Sequence, residues 1–244
     1  MSKRIQFFLS HLGISIFIVL AAIGLVFGVW YPSPLPTAVG VTQIFLMLIA
    51  IDIVVGPLLG LLVYKEGKKS LKFDLSIIRL LQISALVYGL YNLEQGRPAW
   101  LVYNVDRFEL VRKSDIILEN RNQTLPEFQQ ASWFKPQYVA TEFAKDIQQR
   151  NDDMFAEVFG GISLAQRPER YVNFAKVKKQ IQEHALSLKD LENYNEITKV
   201  QKTLIDYPEA NAWLPLKANA VDMVVLINKD TAEIIKTVDL RPWN

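Results

Sequence analysis

IQFFLSHLGISIFIVLAAIGLVFGVW, residues 5–30, contains no Asp, Glu, Lys or Arg. As a helix rising about 1.5 Å per residue it exceeds the roughly 30 Å of a bilayer's hydrocarbon core. Two more apolar runs follow at once. Residues 38–64 are broken only by Asp52 and the Gly56-Pro57 step, and residues 71–92 form the third run. Soluble domains do not place three such runs in succession. The expected fold is a membrane protein: three transmembrane α-helices over residues 1–92, then an α+β extracytoplasmic domain with antiparallel strands over residues 93–244.

The loops set the orientation. Lys3 and Arg4 precede the first run, and Lys65, Lys68, Lys69 and Lys72 surround the loop between the second and third. The loop Tyr31-Pro-Ser-Pro-Leu-Pro-Thr37 is uncharged. Short Lys/Arg-rich loops stay cytoplasmic, so the N-terminus is expected inside and everything after Asn92 outside. Trp30, Tyr31, Tyr88 and Tyr91 then fall near the outer boundary, where interfacial aromatics belong. A cleaved signal peptide does not fit. The first run is too long, has no small-x-small cleavage site and leads straight into further runs.

Charge divides along the same line. Up to residue 92 there are seven Lys and Arg against three Asp and Glu, a net of +4; beyond it there are twenty against twenty-two, a net of −2. A nearly neutral outer domain lacks the basic face that a nucleic-acid partner requires. The chain has no Cys, which removes thiolate catalysis, Cys-type zinc sites and disulfides.

In the outer domain, residues 100–105 and 108–111 read as strand, with Asp106-Arg107 as a bend or bulge within a continuing strand. Residues 123–137 read as irregular with one short helical turn. Residues 141–150 have helical spacing, with Thr141 as N-cap and Phe143 and Ile147 on one face. Residues 152–159 extend this to a stop at Gly160-Gly161. A helix is expected from Arg167-Pro-Glu to about Leu186, with Tyr171, Phe174, Val177 and Ile181 as its apolar stripe. Ser187 starts a short helix through Asn193. Residues 222–227 and 233–239 flank Asn228-Lys-Asp-Thr231 as a hairpin, expected to pair beside the first strands.

Ionisable groups within apolar spans are costly and usually face protein or water. Asp52 lies roughly 18 Å from the cytoplasmic end of its span, Arg79 roughly 12 Å and Gln82 roughly 16 Å into theirs. Pro57 removes the helical donor for the carbonyl of Ile53 and should kink the helix beside Asp52. Arg79 and Gln82 are therefore expected to meet Asp52 between spans two and three. This network serves either as structural glue or as a polar face for a partner helix, with an ion pathway as a third use. Asp74 lies near the cytoplasmic surface, placed to cap or snorkel. His11, beside Ser10, is expected to bond locally, and Gly24 and Gly28 form a small-xxx-small pair.

Enzyme chemistry finds no support. His11 and His184 are far apart, no metal-ligand constellation exists, and there is no GxSxG, HExxH or phosphate-cradling loop. Asp152-Asp153 reads as a charge pair near a helix start. No cofactor and no small-molecule substrate are expected.

Five blocks in order then carry a resemblance: Ile51-Asp-Ile-Val-Val-Gly-Pro-Leu-Leu59 (with Gly56 and Pro57), Leu71-Lys-Phe-Asp-Leu75, Gln82 with Ala85-Leu-Val-Tyr-Gly89, Val105-Asp-Arg-Phe-Glu-Leu-Val111 (with Asp106, Arg107 and Phe108), and Leu240-Arg-Pro-Trp243 (with Pro242 and Trp243). Together they resemble the TfpX/TfpZ family of type IV pilin accessory proteins across essentially the whole chain. The resemblance implies a multi-pass protein of the bacterial inner membrane with its C-terminal domain in the periplasm. It would be a chaperone or assembly modulator whose partner is the major type IV pilin, through the pilin's transmembrane helix and head domain, amid inner-membrane lipids. No catalytic residue carries over. Arg79, Gln82, Asp52 and Asp74 become the candidate partner-binding residues. Two other classes compete: a membrane-anchored periplasmic sensor or ligand-binding module, which predicts an enclosed pocket with convergent polar groups, and a small transporter subunit.

Overall fold

The structure, a computed structural model, describes residues 1–142, 144 and 146–244. Helix α1, Lys3–Leu25, opens on Ser2, whose hydroxyl accepts from the Ile5 amide, and continues as a π-helical turn, Val26–Trp30. One stripe is buried along it: His11, Ser15, Val19, Ala22, Val26 and Trp30. The second apolar run starts later than its composition implies. Residues 35–39 form a separate short helix α2, Leu35–Val39, ended by Gly40 at φ 77°. After that left-handed turn come α3, Val41–Ala50, a π turn, Ile51–Val55, and α4, Gly56–Val63. Helix α5, Leu71–Gly96, runs without a break to the first strand. The three continuous helical stretches, Lys3–Trp30, Val41–Val63 and Leu71–Gly96, are each long and apolar enough to cross a membrane.

Small residues set the packing of these helices. A Cβ on Gly60 would sit 3.0 Å from Phe7 Cε1 and 3.2 Å from His11 Nδ1 of α1, and one on Gly89 would sit 2.6 Å from Leu48. The close approach is made there. Gly24 and Gly28, the pair with the more obvious spacing, face open space.

Among the described residues, those after α5 form a domain with one eight-stranded sheet. Its strands are β1 Pro98–Asn104, β2 Arg107–Arg112, β3 Gln137–Thr141, β4 Tyr171–Val172, β5 Leu186–Ser187, β6 Ala212–Lys217, β7 Met223–Asn228 and β8 Glu233–Val238. The order is β4-β3-β1-β2-β6-β7-β8, with β5 also on β6. The sheet is mixed rather than antiparallel throughout, since β3 pairs parallel to β1 and β6 parallel to β2. The Tyr138 and Thr237 hydroxyls hydrogen-bond at 2.8 Å although β3 and β8 are nearly at opposite ends of that order. The sheet is therefore curled.

Alternation in β1 sends Leu101 and Tyr103 into one core and Trp100 and Val102 into another. Both faces of the strand are covered, and this selects an unbroken apolar run over a two-faced one. The first core also holds Leu35 and Ala38 of α2. The Ala38 carbonyl accepts from the amides of Ala220 and Val221. The short Pro-rich loop is thus a structural part of the sheet domain.

Several expectations change. Asp106-Arg107 is not a bend within one continuing strand: Val105 and Asp106 turn a hairpin between β1 and β2, with Val105 at φ 61° and Arg107 opening β2. A β-branched residue held there stores about 1–3 kcal/mol of strain, and Gln180 Nε2 donates to its carbonyl at 2.7 Å. Thr141 ends β3 instead of capping a helix. The cap is Asp146, which accepts from the Gln149 amide, and α6 spans Ile147–Gly160 before Gly161 at φ 64°. Phe143, proposed for that helix's apolar face, lies outside the described residues. Asp153 is no terminal charge pair. It is the buried residue of α6, with Arg167 at 3.2 Å and Arg170 at 2.9 Å.

The long helix expected after Arg167 is broken. Tyr171 and Val172, aromatic and β-branched, extend along the edge of β3, and Asn173 caps a new turn by accepting from Ala175. The α-helical part of this stretch is α7, Lys178–His184, which follows 3₁₀ turns at Pro168–Arg170 and Phe174–Lys176. The terminal hairpin forms as expected, its turn held by Asn228 Oδ1 accepting from the Asp230 and Thr231 amides. What lies beside β2, however, is β6. Pro215 disguises this strand, yet it falls between the residues paired with β5 and those paired with β2, where a missing amide is tolerated. Helix α8, Ile197–Ile205, is also absent from the sequence reading, although Ile197, Val200 and Leu204 recur at helical spacing. The C-terminal block is a clasp: Trp243 Nε1 donates to Asp222 Oδ2 at 2.8 Å, Arg241 bonds the Asp222 carbonyl, and Asn195 brackets the Arg241 backbone.

Candidate functional site

The polar residues of the helical bundle converge where the π turn interrupts the second apolar stretch. An α-helix pairs each carbonyl with the amide four residues on, so Pro57 would orphan Ile53. A π turn pairs it with the amide five on, and the carbonyl left facing Pro57 is that of Asp52. Gln82 of α5 supplies the missing donor, its Nε2 lying 3.0 Å from the Asp52 carbonyl. The other end of the same amide meets α1: Gln82 Oε1 is 2.9 Å from His11 Nε2, which donates to it. One side chain therefore ties three helices together. Gly56 makes room for it, since a Cβ there would overlap the Gln82 amide.

Beside this knot lies a cavity of about 380 Å³ between α1, the π turn and α5, lined by Phe7, Ser10, His11, Ser15, Asp52, Arg79 and Gln82 among others. Arg79 sits at its edge with its guanidinium carbon 5.6 Å from the centre of the Phe7 ring, a cation–π contact. Among the described residues no carboxylate forms a salt bridge with Arg79, and Asp52 Oδ2, buried at 5% exposure, has no hydrogen-bond partner. His11 Nδ1 is likewise buried and unpartnered. The cavity presents a cation, an acid and an imidazole that do not satisfy one another.

Of the candidates read from the sequence, Asp52, Arg79 and Gln82 come together here, with Gly56 and Pro57 shaping the site. Arg79 does not reach Asp52; the contact to that residue is made by Gln82, and to its backbone. Asp74 is elsewhere, accepting from Ser70 at 3.0 Å and paired with Lys68 at 2.7 Å. His11 does not bond locally but across 71 positions of sequence. Its place in the i, i+4 series with Ser15 and Val19 is the signal that could have revealed it. Phe7, one turn earlier, belongs to the same set.

The sheet domain has its own polar cavity of about 270 Å³ at the β1–β2 turn, lined by Asn104, Thr141, Arg150, Lys176 and Gln180 among others. Its polar groups are already engaged. Thr141 donates to Asn104 at 2.9 Å, Asn104 to Glu109 at 2.9 Å, Arg150 to the Ala144 carbonyl and Gln180 to Val105. This is an internally satisfied network rather than the convergent unpaired set a ligand-binding sensor requires. Arg107, between Asp106, Glu109 and Glu157, is part of the same web. Among the described residues no group of acidic and His side chains could hold a metal ion.

Comparison with known proteins gives a consistent picture. Residues 1–40 match the family model described as "Fimbrial assembly protein FimB". The chain is 32% identical to the "Fimbrial assembly protein, serogroup E1" of Dichelobacter nodosus and 30% identical to the serogroup I protein of the same organism. Each match covers 90% of this chain and 89% of the relative. A shorter relative, of serogroups C1 and C2, is 34% identical over 46% of this chain and 88% of its own length. No solved structure matches.

Proposed function

This chain belongs to the fimbrial assembly protein family, and from that premise we propose that it is an inner-membrane accessory protein that binds an unassembled type IV pilin and assists its passage into the fimbria. The Lys-rich flanks of the three long apolar helices support a cytoplasmic N-terminus and a periplasmic sheet domain. The finer resemblance, to the TfpX/TfpZ pilin accessory proteins, supplies the partner. A pilin waits in the bilayer on one apolar helix that carries a glutamate near its cytoplasmic end.

The observation that carries this reading is the unpaired Arg79 beside an open cavity between α1 and α5. Within lipid an Arg costs about 2.5–3.5 kcal/mol on insertion scales. A carboxylate on an incoming helix would lower that cost for both groups, because a pair is far cheaper to bury than two separate charges. Gln82 holds the three helices in the geometry that keeps the cavity open. The sheet domain would meanwhile engage the pilin head.

Charge reversal tests this. Arg79→Glu should weaken co-purification with pilin by about 100-fold, the equivalent of some 3 kcal/mol. A Glu→Arg exchange on the pilin helix should restore it. If Arg79→Leu leaves pilin association and fimbria number unchanged, the reading is wrong.

A further inference from the structure

We infer that the loop carrying Trp133 and Phe134 is a membrane anchor, inserting into the headgroup region of the outer leaflet. The inference goes beyond pilin binding and rests on the same membrane topology. Trp30 ends the first long helix and is buried, and part of what buries it is Trp133, packed edge-on at a centroid distance of 5.8 Å. Trp133 in turn packs edge-on against Phe134 at a centroid distance of 5.4 Å. The loop is thus fixed to the outer end of a membrane-crossing helix, at the level of Tyr88 and Tyr91, which α5 also presents outward.

Both loop aromatics are nonetheless open, Trp133 at 51% and Phe134 at 64% exposure. Two aromatics at a loop tip would be a liability in water, but aromatic rings are enriched at headgroup depth. The backbone is prepared for that setting: the Phe134 amide donates to Ser132 Oγ at 3.2 Å, so the tip does not carry a bare donor into a poorly hydrated zone. The neighbouring Lys135 is exposed and long enough to place its ammonium among lipid phosphates. Lipid is favoured over a protein occupant because the patch is continuous with the end of the spans. The other end of the sheet, at the β1–β2 turn, lies roughly 20 Å away along seven strand residues.

The chain has no native cysteine, so single nitroxide labels can be placed in the full-length protein in liposomes of phosphatidylethanolamine and phosphatidylglycerol. Labels go at Phe134→Cys, at Leu81→Cys within α5 and at Asp106→Cys in the distal turn. Power-saturation EPR compares collisions with oxygen and with a water-soluble nickel chelate. The expected result is oxygen-dominated relaxation at 134 and 81 and nickel-dominated relaxation at 106. Nickel-dominated relaxation at 134, with 81 still oxygen-dominated, overturns the anchor and leaves the topology intact. Nickel access at 81 overturns the topology itself. A label at 134 that becomes shielded only when pilin is added assigns the patch to protein instead, and also overturns the anchor.

Discussion

Gly56→Ala should act through Gln82 and nothing else, which makes it a sharp test of the three-helix knot. The new methyl would occupy the volume of the Gln82 amide, so that side chain must leave. Its departure removes the bond to His11 at 2.9 Å and the bond to the Asp52 carbonyl at 3.0 Å. Hydrogen bonds between membrane helices average about 0.6 kcal/mol and reach about 1.7 kcal/mol, so Gln82→Ala should cost about 1–3 kcal/mol. Gly56→Ala loses the same two bonds and adds overpacking strain, itself typically 1–3 kcal/mol, for a total of about 2–6 kcal/mol. In the double variant the methyl enters space that the truncated side chain at position 82 has vacated, so the pair should cost no more than Gln82→Ala alone. The cycle therefore shows a coupling of about 2 kcal/mol or more. Unfolding in detergent micelles, followed by far-UV circular dichroism, supplies the four free energies. Additive costs would refute the reasoning. Pro57→Ala adds a second arm: it returns an amide to the Asp52 carbonyl, so Gln82→Ala should cost less in that background.

The junction between α5 and the sheet offers another test. Arg97 is 2% exposed and leans on Glu94 at 3.4 Å, which also holds Lys113 at 2.7 Å. Glu94→Ala strands a buried guanidinium and should cost about 3 kcal/mol, whereas adding Arg97→Met should recover most of it; thermal unfolding separates the two. Asp153→Asn should release α6 locally, seen as lost amide-exchange protection confined to residues 147–160, because that residue is the helix's buried attachment to Arg167 and Arg170. Burial pushes the phenols of Tyr31, Tyr103, Tyr138 and Tyr171 above the ordinary tyrosine value. Their contribution to stability is complete below about pH 10 and is lost as pH rises toward the folded values. Absorbance titration should show four of the nine tyrosines ionising late and together with unfolding.

Hydropathy alone located the three long helices, because twenty-odd apolar residues in a row have few other fates. Aromatic and β-branched enrichment located β1 and β2, and with turn chemistry the β7–β8 hairpin, since these depend on neighbours only a few residues away. Asp52, Arg79 and Gln82 stood out because a polar group in an apolar run is costly wherever it points. Which polar group would meet which was not written there. The π turn moved the orphaned carbonyl by one residue, a choice made by how three helices pack. His11 and Gln82 are joined across 71 positions that no local pattern connects. β6 was hidden by Pro215, acceptable only because of where its two neighbours begin and end, and the parallel pairings arise from crossovers that bury both faces of the sheet. The sequence by itself determined which segments must leave water. Tertiary structure decided which buried polar atoms satisfy one another, and so which of them remain free to meet a partner.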